Sequence, residues 1–397
     1  MKILTLSPQI LTQSIVKRNS LSSKSLKYIS PSFKADSFQR QEDRSRPDIN
    51  TNEKHLEYLN QRKERILKEV DTPKSYSSIL EEINNKGRQT KEIEELTKEY
   101  KILNGILNQS KGNDYIKNCE IVASFVKAMD SMSPNEGFNR IIGYDDIKND
   151  LKNKFILDTV LKEKISSDVE FPHIMLFYGP VGCGKTELAK ATAEQSQSNV
   201  DIVDAAELSV EDTMDLIEDL AQKSKKNYET SNNKKRTIIV INEADLILNP
   251  RSSILNKFKN LANNCSEKYK CTFFLSTNCP LDIDKTFLSK KMTPYKIEVG
   301  KADKQTAKAI IDRELKGAKI FIENGSSRIT DLLFEKPGLF YSNRDMVEII
   351  RNTMRDNRNP QLNDFLNTIK NNEIVPSIKQ SDLNYYKQVN KELENIN

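Results

Sequence analysis

Within eight residues, Gly179-Pro-Val-Gly182-Cys-Gly184-Lys185-Thr186, the chain sets three glycines, a lysine and a hydroxyl at the spacing G-x-x-x-x-G-K-[ST]. Glycines let the backbone turn tightly enough to aim several N–H groups at one anion, and the lysine adds a mobile point charge. That chemistry is phosphate binding: Lys185 reaches the outer phosphates of a nucleotide, and Thr186 offers its hydroxyl to Mg²⁺. The loop also sits where such chemistry needs it. An apolar run, Ile174-Met-Leu-Phe-Tyr178, precedes it, and a helix-like segment, 187–195, follows with an N-terminus that favours negative charge. Gly179, Pro180, Val181, Gly182, Cys183, Gly184, Lys185, Thr186 and Glu187 are therefore candidate nucleotide-binding residues. Cys183 reads as filler within the loop, and His173 as an ordinary residue before the strand.

A phosphate loop needs a second strand end to position Mg²⁺ and activate water. Thr237-Ile-Ile-Val-Ile-Asn242-Glu243 supplies a strand with a polar terminus, and Thr272-Phe-Phe-Leu-Ser-Thr-Asn278 supplies a third. Together these elements resemble the AAA+ family of P-loop ATPases, over about residues 134–370. The resemblance implies that Glu243 is the base that activates water and that Asn278 is the sensor holding water or the γ-phosphate. Asn242 stands where the family usually has Asp. It can accept from a magnesium-bound water but brings no charge, which points to slow hydrolysis. Asp245 offers partial compensation or simply caps a helix.

Upstream, Phe138 and Ile141-Ile142-Gly143-Tyr144 resemble the family segment that flanks adenine, which makes Ile142, Gly143 and Tyr144 candidate binding residues. Downstream, Ser342-Asn343-Arg344-Asp345 resembles the sensor 2 turn, with Arg344 reaching the phosphates or else capping its own helix. Family members commonly form rings in which a neighbour's Arg completes the site; here Lys290 and Lys291 occupy that region, without the guanidinium fork. The aromatic pore loop of polypeptide-threading members is missing between 204 and 211.

The elements that must position these residues follow from periodicity. Strand-like runs at 173–177, 200–203, 237–241 and 272–275 alternate with helix-length segments, so the fold class is α/β with a mainly parallel sheet. After Gly300 only helical patterns continue, at 304–315, 327–335, 343–354 and 361–368, which describes a helical lid. The expected organisation is a disordered leader (1–50), a helical N-terminal region (51–133), an ATP-binding core (134–299), a helical lid domain (300–370) and a flexible tail (371–397). Apolar stripes at 53–70, 76–107 and 118–132 give the N-terminal helices.

Composition narrows the class. Residues 1–50 hold nine Lys and Arg against four Asp and Glu, the whole of the chain's net +5, so the remainder is neutral and nucleic acid is not a favoured partner. No run of about 18 apolar residues occurs and the first residues lack a secretory h-region, so a cytoplasmic location and no membrane association are expected. Five cysteines without a CxxC pair argue against a disulfide framework or a zinc site. The expected cofactors are ATP and Mg²⁺, and the expected partners are further copies of the chain and a protein client. The leading function is an ATP hydrolase that remodels a protein or nucleoprotein. The alternatives are a nucleotide-gated binding module with residual hydrolysis and a DNA loader or initiator.

Overall fold

The structure, a computed structural model, describes residues 102–103, 105–106, 113–165, 169–230, 235–335, 337–357, 359–371 and 373–396. The expected leader, the helix at 53–70 and nearly all of the helix at 76–107 lie outside them. The described residues fall into two compact units, the first ending at Met132 with Asn149–Val169 added, the second formed by Ser133–Lys148 and 170–396.

In the first unit, helix α1 (Asn113–Asp130) buries Val122, Phe125, Val126 and Met129, the i, i+3, i+4, i+7 positions of one face. A π-helical segment, Leu151–Leu161, buries Leu151, Phe155, Ile156, Leu157, Val160 and Leu161. It leads into a short helix, Lys162–Ile165, whose Lys164 ammonium lies 5.7 Å from the Phe125 ring.

The second unit is built on a parallel sheet. Strands β1 (Ile174–Tyr178), β2 (Asn199–Asp204), β3 (Thr237–Asn242), β4 (Cys271–Thr277) and β5 (Tyr295–Glu298) lie in the order β2-β3-β4-β1-β5. Strands β1 and β4 are buried throughout, which is why they read as unbroken apolar runs. The fifth strand, Tyr-Lys-Ile-Glu, gives too short and too polar a run to be recognised from sequence. The register pairs Tyr178 with Thr277 and Ile241 with Leu275, so the C-terminal ends of β1, β3 and β4 finish side by side. Helices α2 (Lys185–Gln195), α3 (Val210–Thr230) and α4 (Leu255–Asn264) connect the strands. Phe258 of α4 stacks between Phe273 and Phe287, with ring centroids 5.1 and 5.5 Å away.

Helices α5 (Lys304–Gly317), α6 (Gly325–Leu333), α7 (Asn343–Asp356) and α8 (Leu362–Lys370) enclose a separate core of Ile310, Ile311, Ile329, Met346, Ile349, Ile350, Phe365 and Ile369. Asp303 caps α5 and a Ser342–Asp345 capping box starts α7. Two features differ from the expectation. A two-stranded ribbon pairs β6 (Leu339–Phe340) with β7 (Ile378–Lys379) where only helices were anticipated. The tail, expected to be loose, ends in helix α9 (Gln380–Asn395), which buries Tyr386, Val389 and Leu393 in the core of the sheet. Its charged face masks those widely spaced apolar positions in a reading of composition. No helix among the described residues is long and apolar enough to cross a membrane.

Candidate active site

The loop after β1 joins the sheet to the helical lid. Gly182 has φ 76°, and a Cβ there would stand 2.5 Å from the Ser342 hydroxyl, so both backbone conformation and the close approach of the lid require glycine. The Gly182 carbonyl accepts from the Arg344 N–H at 3.2 Å, and the Cys183 carbonyl accepts from Asn343 Nδ2 at 3.0 Å. Burial, ahead of the opposing pull of Lys185, pushes the Cys183 thiol up to about 12, so it stays protonated and inert. Val181 is exposed at the tip of the loop, and Glu187, in the first turn of α2, pairs with Lys190 at 3.1 Å.

Lys185 is buried, with 7% of its surface exposed, and its three donors are all used. Nζ donates to the carbonyls of Gly179 and Pro180 at 2.9 and 2.8 Å and to Asn278 Oδ1 at 2.6 Å. Burial is the main reason its pKa is lowered, and the Arg344 guanidinium lowers it further. Asn278, just past the end of β4, turns its amide the other way and donates to Glu243 at 3.2 and 3.4 Å. One side chain thus joins the loop lysine to the carboxylate beyond β3.

Glu243 adopts φ 50°, a left-handed conformation uncommon for a residue with a Cβ. Its carboxyl is raised above the ordinary glutamate range by burial first and by the charge of Asp245 second. The neighbouring Asn242 accepts from Thr186 Oγ1 at 2.9 Å, and Ser276 Oγ lies 3.4 Å from the same hydroxyl. Asp245 does not turn toward this cluster: its carboxylate is engaged by the Thr277 hydroxyl.

Ile142, Gly143 and Tyr144 are brought to the junction of sheet and lid. Ile142 packs on the lid core, and a Cβ at Gly143 would strike the Thr306 side chain of α5. The Tyr144 hydroxyl lies 3.0 Å from both Cys183 O and Gly300 O, and it accepts from Asn343 Nδ2 at 3.1 Å. The preceding turn is clamped to the far end of α2: Gly137 N–H donates to Glu194 at 2.9 Å, and Phe138 N–H donates to Gln195 at 2.9 Å.

Lys290 and Lys291 are not part of this cluster. They follow the short helix Lys285–Leu288, and neither makes a hydrogen bond or ion pair with the loop among the described residues. Sequence reasoning passed over Asn343 and Ser276. Asn343 lies inside the Ser342–Asp345 turn, where the charge of Arg344 is the stronger signal; Ser276 has only its place two residues before Asn278 to mark it.

Residues 175–301 match the family model described as ATPase family associated with various cellular activities. Cell division protein C of Sulfolobus acidocaldarius is 30% identical over 169 residues, 40% of this chain and 44% of its own length. ATPase family protein 2 homolog of Caenorhabditis elegans is 25% identical, over 55% of this chain and 30% of its own. The human outer mitochondrial transmembrane helix translocase is 26% identical, over 43% and 49%. The chain thus spans about half or less of the length of these relatives. Among solved structures, the FIGL-1 AAA domain in complex with ADP superposes with a TM-score of 0.54 at 20% identity, covering 68% of this chain and 96% of that one. Residues 175–301, which carry the glycine loop and the three strand ends that finish together beside it, thus match an AAA-family ATPase domain, and the second unit shares the fold of the FIGL-1 AAA domain.

Proposed function

We propose that this chain binds ATP with Mg²⁺ and hydrolyses it to remodel a protein or nucleoprotein partner, working as a homo-oligomer. The observation that carries the hydrolytic reading is Asn278, which links Lys185 at 2.6 Å to Glu243 at 3.2 Å. The groups present suit the ligand. The N-terminus of α2 and the ammonium of Lys185 suit phosphate, and the neutral oxygens of Thr186 and Asn242, 2.9 Å apart, suit a hard cation that brings phosphate oxygens of its own. Bound Mg²⁺ would neutralise developing charge on the phosphates.

In this reading the backbone of Gly179–Thr186 and Lys185 hold the phosphates, while Ile142, Gly143 and Tyr144 border the base. Glu243 takes a proton from water as the water oxygen bonds to the γ-phosphorus; the bond to the β-phosphate oxygen breaks, and ADP and phosphate leave. Asn278 orients the water, and Arg344 steadies the transferring group from the lid. The elevated carboxyl of Glu243 makes it a stronger base than an ordinary glutamate.

A second reading, a nucleotide-gated binder with residual hydrolysis, draws on Asn242, a neutral partner for Thr186 where the family has a carboxylate. Turnover of Mg-ATP across a range of protein concentrations separates the two. Turnover per subunit that rises with concentration and vanishes in Glu243→Gln supports the assembling hydrolase. ATP binding with no turnover above the Lys185→Ala blank, and activity restored by Asn242→Asp, supports the gated binder.

A further inference from the structure

The C-terminal segment is fastened to both halves of the site. At its lid end, Ser377 donates from its N–H and its hydroxyl to Asp345 Oδ2 at 3.0 and 2.6 Å, the carboxylate that also completes the capping box next to Arg344. At its sheet end, α9 makes three polar attachments. The Tyr386 hydroxyl donates to the Asn278 carbonyl at 2.7 Å. Asn390 accepts from the Tyr178 hydroxyl at 2.7 Å and donates to Glu298 at 2.7 Å, which joins the ends of β1 and β5. Lys296 Nζ donates to the Leu393 carbonyl at 2.9 Å.

The contact to Asn278 stands apart from the other two. Strand β4 stops at Thr277, so the Asn278 carbonyl has no ladder partner, and a phenol from another element holds it instead. The residues on either side are fixed as well: Thr277 donates its hydroxyl to Asp245 and accepts from the Cys279 N–H at 2.9 Å. The peptide of Asn278 is therefore gripped on both sides, and its side chain projects from that peptide to Lys185 and Glu243. Tyr386 is 5% exposed, and burial raises its hydroxyl pKa, so it remains a donor.

We infer that Tyr386 is a positioning residue of the hydrolytic step, holding Asn278 in register with Glu243, while the chain from Ser377 to Tyr386 ties that grip to the lid. The inference rests on the roles proposed above for Asn278 and Glu243. Its physical basis is that a displacement well under an ångström at a group that orients water is costly to rate while leaving affinity nearly intact.

The test uses the full chain with Tyr386→Phe, which keeps the ring and its packing and removes only the donor. Lys296→Met serves as the comparison, since it loosens the same helix without touching Asn278. Expected for Tyr386→Phe is a fall in kcat of about tenfold with KM for Mg-ATP within about twofold of wild type; Lys296→Met keeps wild-type kcat. Equal losses of kcat in the two variants, or an unchanged kcat in Tyr386→Phe, overturn the inference. Affinities for ATP and ADP are measured alongside. If wild type binds ATP without turning it over, the hydrolysis reading falls, and the inference is then decided by the ATP-to-ADP affinity ratio. A ratio lowered in Tyr386→Phe alone sustains the grip on Asn278, and an unchanged ratio ends it. Absence of ATP binding by wild type overturns both.

Discussion

The two sides of the site are built by different means. On the loop side, Gly179 to Lys185, the surface proposed to meet phosphate is mainly backbone, and its shape depends on residues without a Cβ and on a helix N-terminus. On the strand-end side the functional groups are side chains, Asn242, Glu243 and Asn278, each held by a hydrogen bond to another residue. At Gly179, Gly182 and Gly184 any other residue must adopt a positive φ that side chains disfavour, and at Gly182 a Cβ would also meet Ser342 of the lid. A side-chain surface can be edited one group at a time. The loop meets the family pattern at every defined position while Asn242 departs from it, in keeping with that difference.

The comparison can be broken most forcefully on the strand-end side. Glu243→Gln is expected to lower turnover by about 10²–10⁴-fold, the range for loss of a general base, with ATP affinity retained. A phosphate-release assay beside a binding titration checks this, and equal loss of both would place Glu243 in binding instead. Next comes the loop lysine. Lys185→Ala removes a charged donor held at 2.6–2.9 Å by three oxygens and is expected to weaken ATP binding by about 10–100-fold, at roughly 1.5–3 kcal/mol for a charged hydrogen bond. Retained affinity would remove Lys185 from the phosphate site.

Gly182→Ala tests whether the loop is shape rather than chemistry. Forcing φ 76° on a residue with a Cβ costs about 1–2 kcal/mol, and the methyl group meets Ser342. Affinity is expected to fall about tenfold with the lysine intact, and a variant that binds like wild type would show that lid and loop separate freely. Asn242→Asp sharpens the other side: a carboxylate beside Thr186 is expected to lower the Mg²⁺ concentration for half-maximal turnover by several-fold, as charge-assisted contacts are about twice as strong as neutral ones. An unchanged Mg²⁺ dependence would take Asn242 out of the metal's surroundings.

The smallest effect is one of pH. Burial, and after it Asp245, raises the Glu243 carboxyl. The folded chain keeps a proton there at pH values where the unfolded chain, at about 4.3, has lost it; this group's contribution to stability therefore declines as pH rises through that interval. The acid limb of kcat/KM should lie correspondingly above the ordinary glutamate range. A limb near that range would mean that a different base acts.

Much of this site was legible because its signals are local. The apolar strand, the glycine loop with its lysine and the helix that follows are contiguous, and a parallel strand buried on both faces leaves an unmistakable run. Asn278 and Glu243 were legible as candidates because each stands just past the end of such a strand. What escaped was held by long-range contacts. Tyr386 lies 108 residues from the carbonyl it grips, and Asn390 lies 212 residues from Tyr178. Strand β5 is recognisable only once β1 is there to pair with it, through Met175 and Tyr295.

The sequence alone determined the chemistry on offer: which backbone can wrap phosphate, which carboxylate and amides end the strands, and where the charge lies along the chain. The tertiary structure decided how those groups meet. It turned Asp245 toward Thr277 instead of Asn242 and made an apparently loose tail into a helix anchored on Asn278. The physical reason is range. Backbone shape and strand burial are set by neighbours in sequence, whereas a hydrogen-bond partner is chosen by whichever group packing brings within about 3 Å.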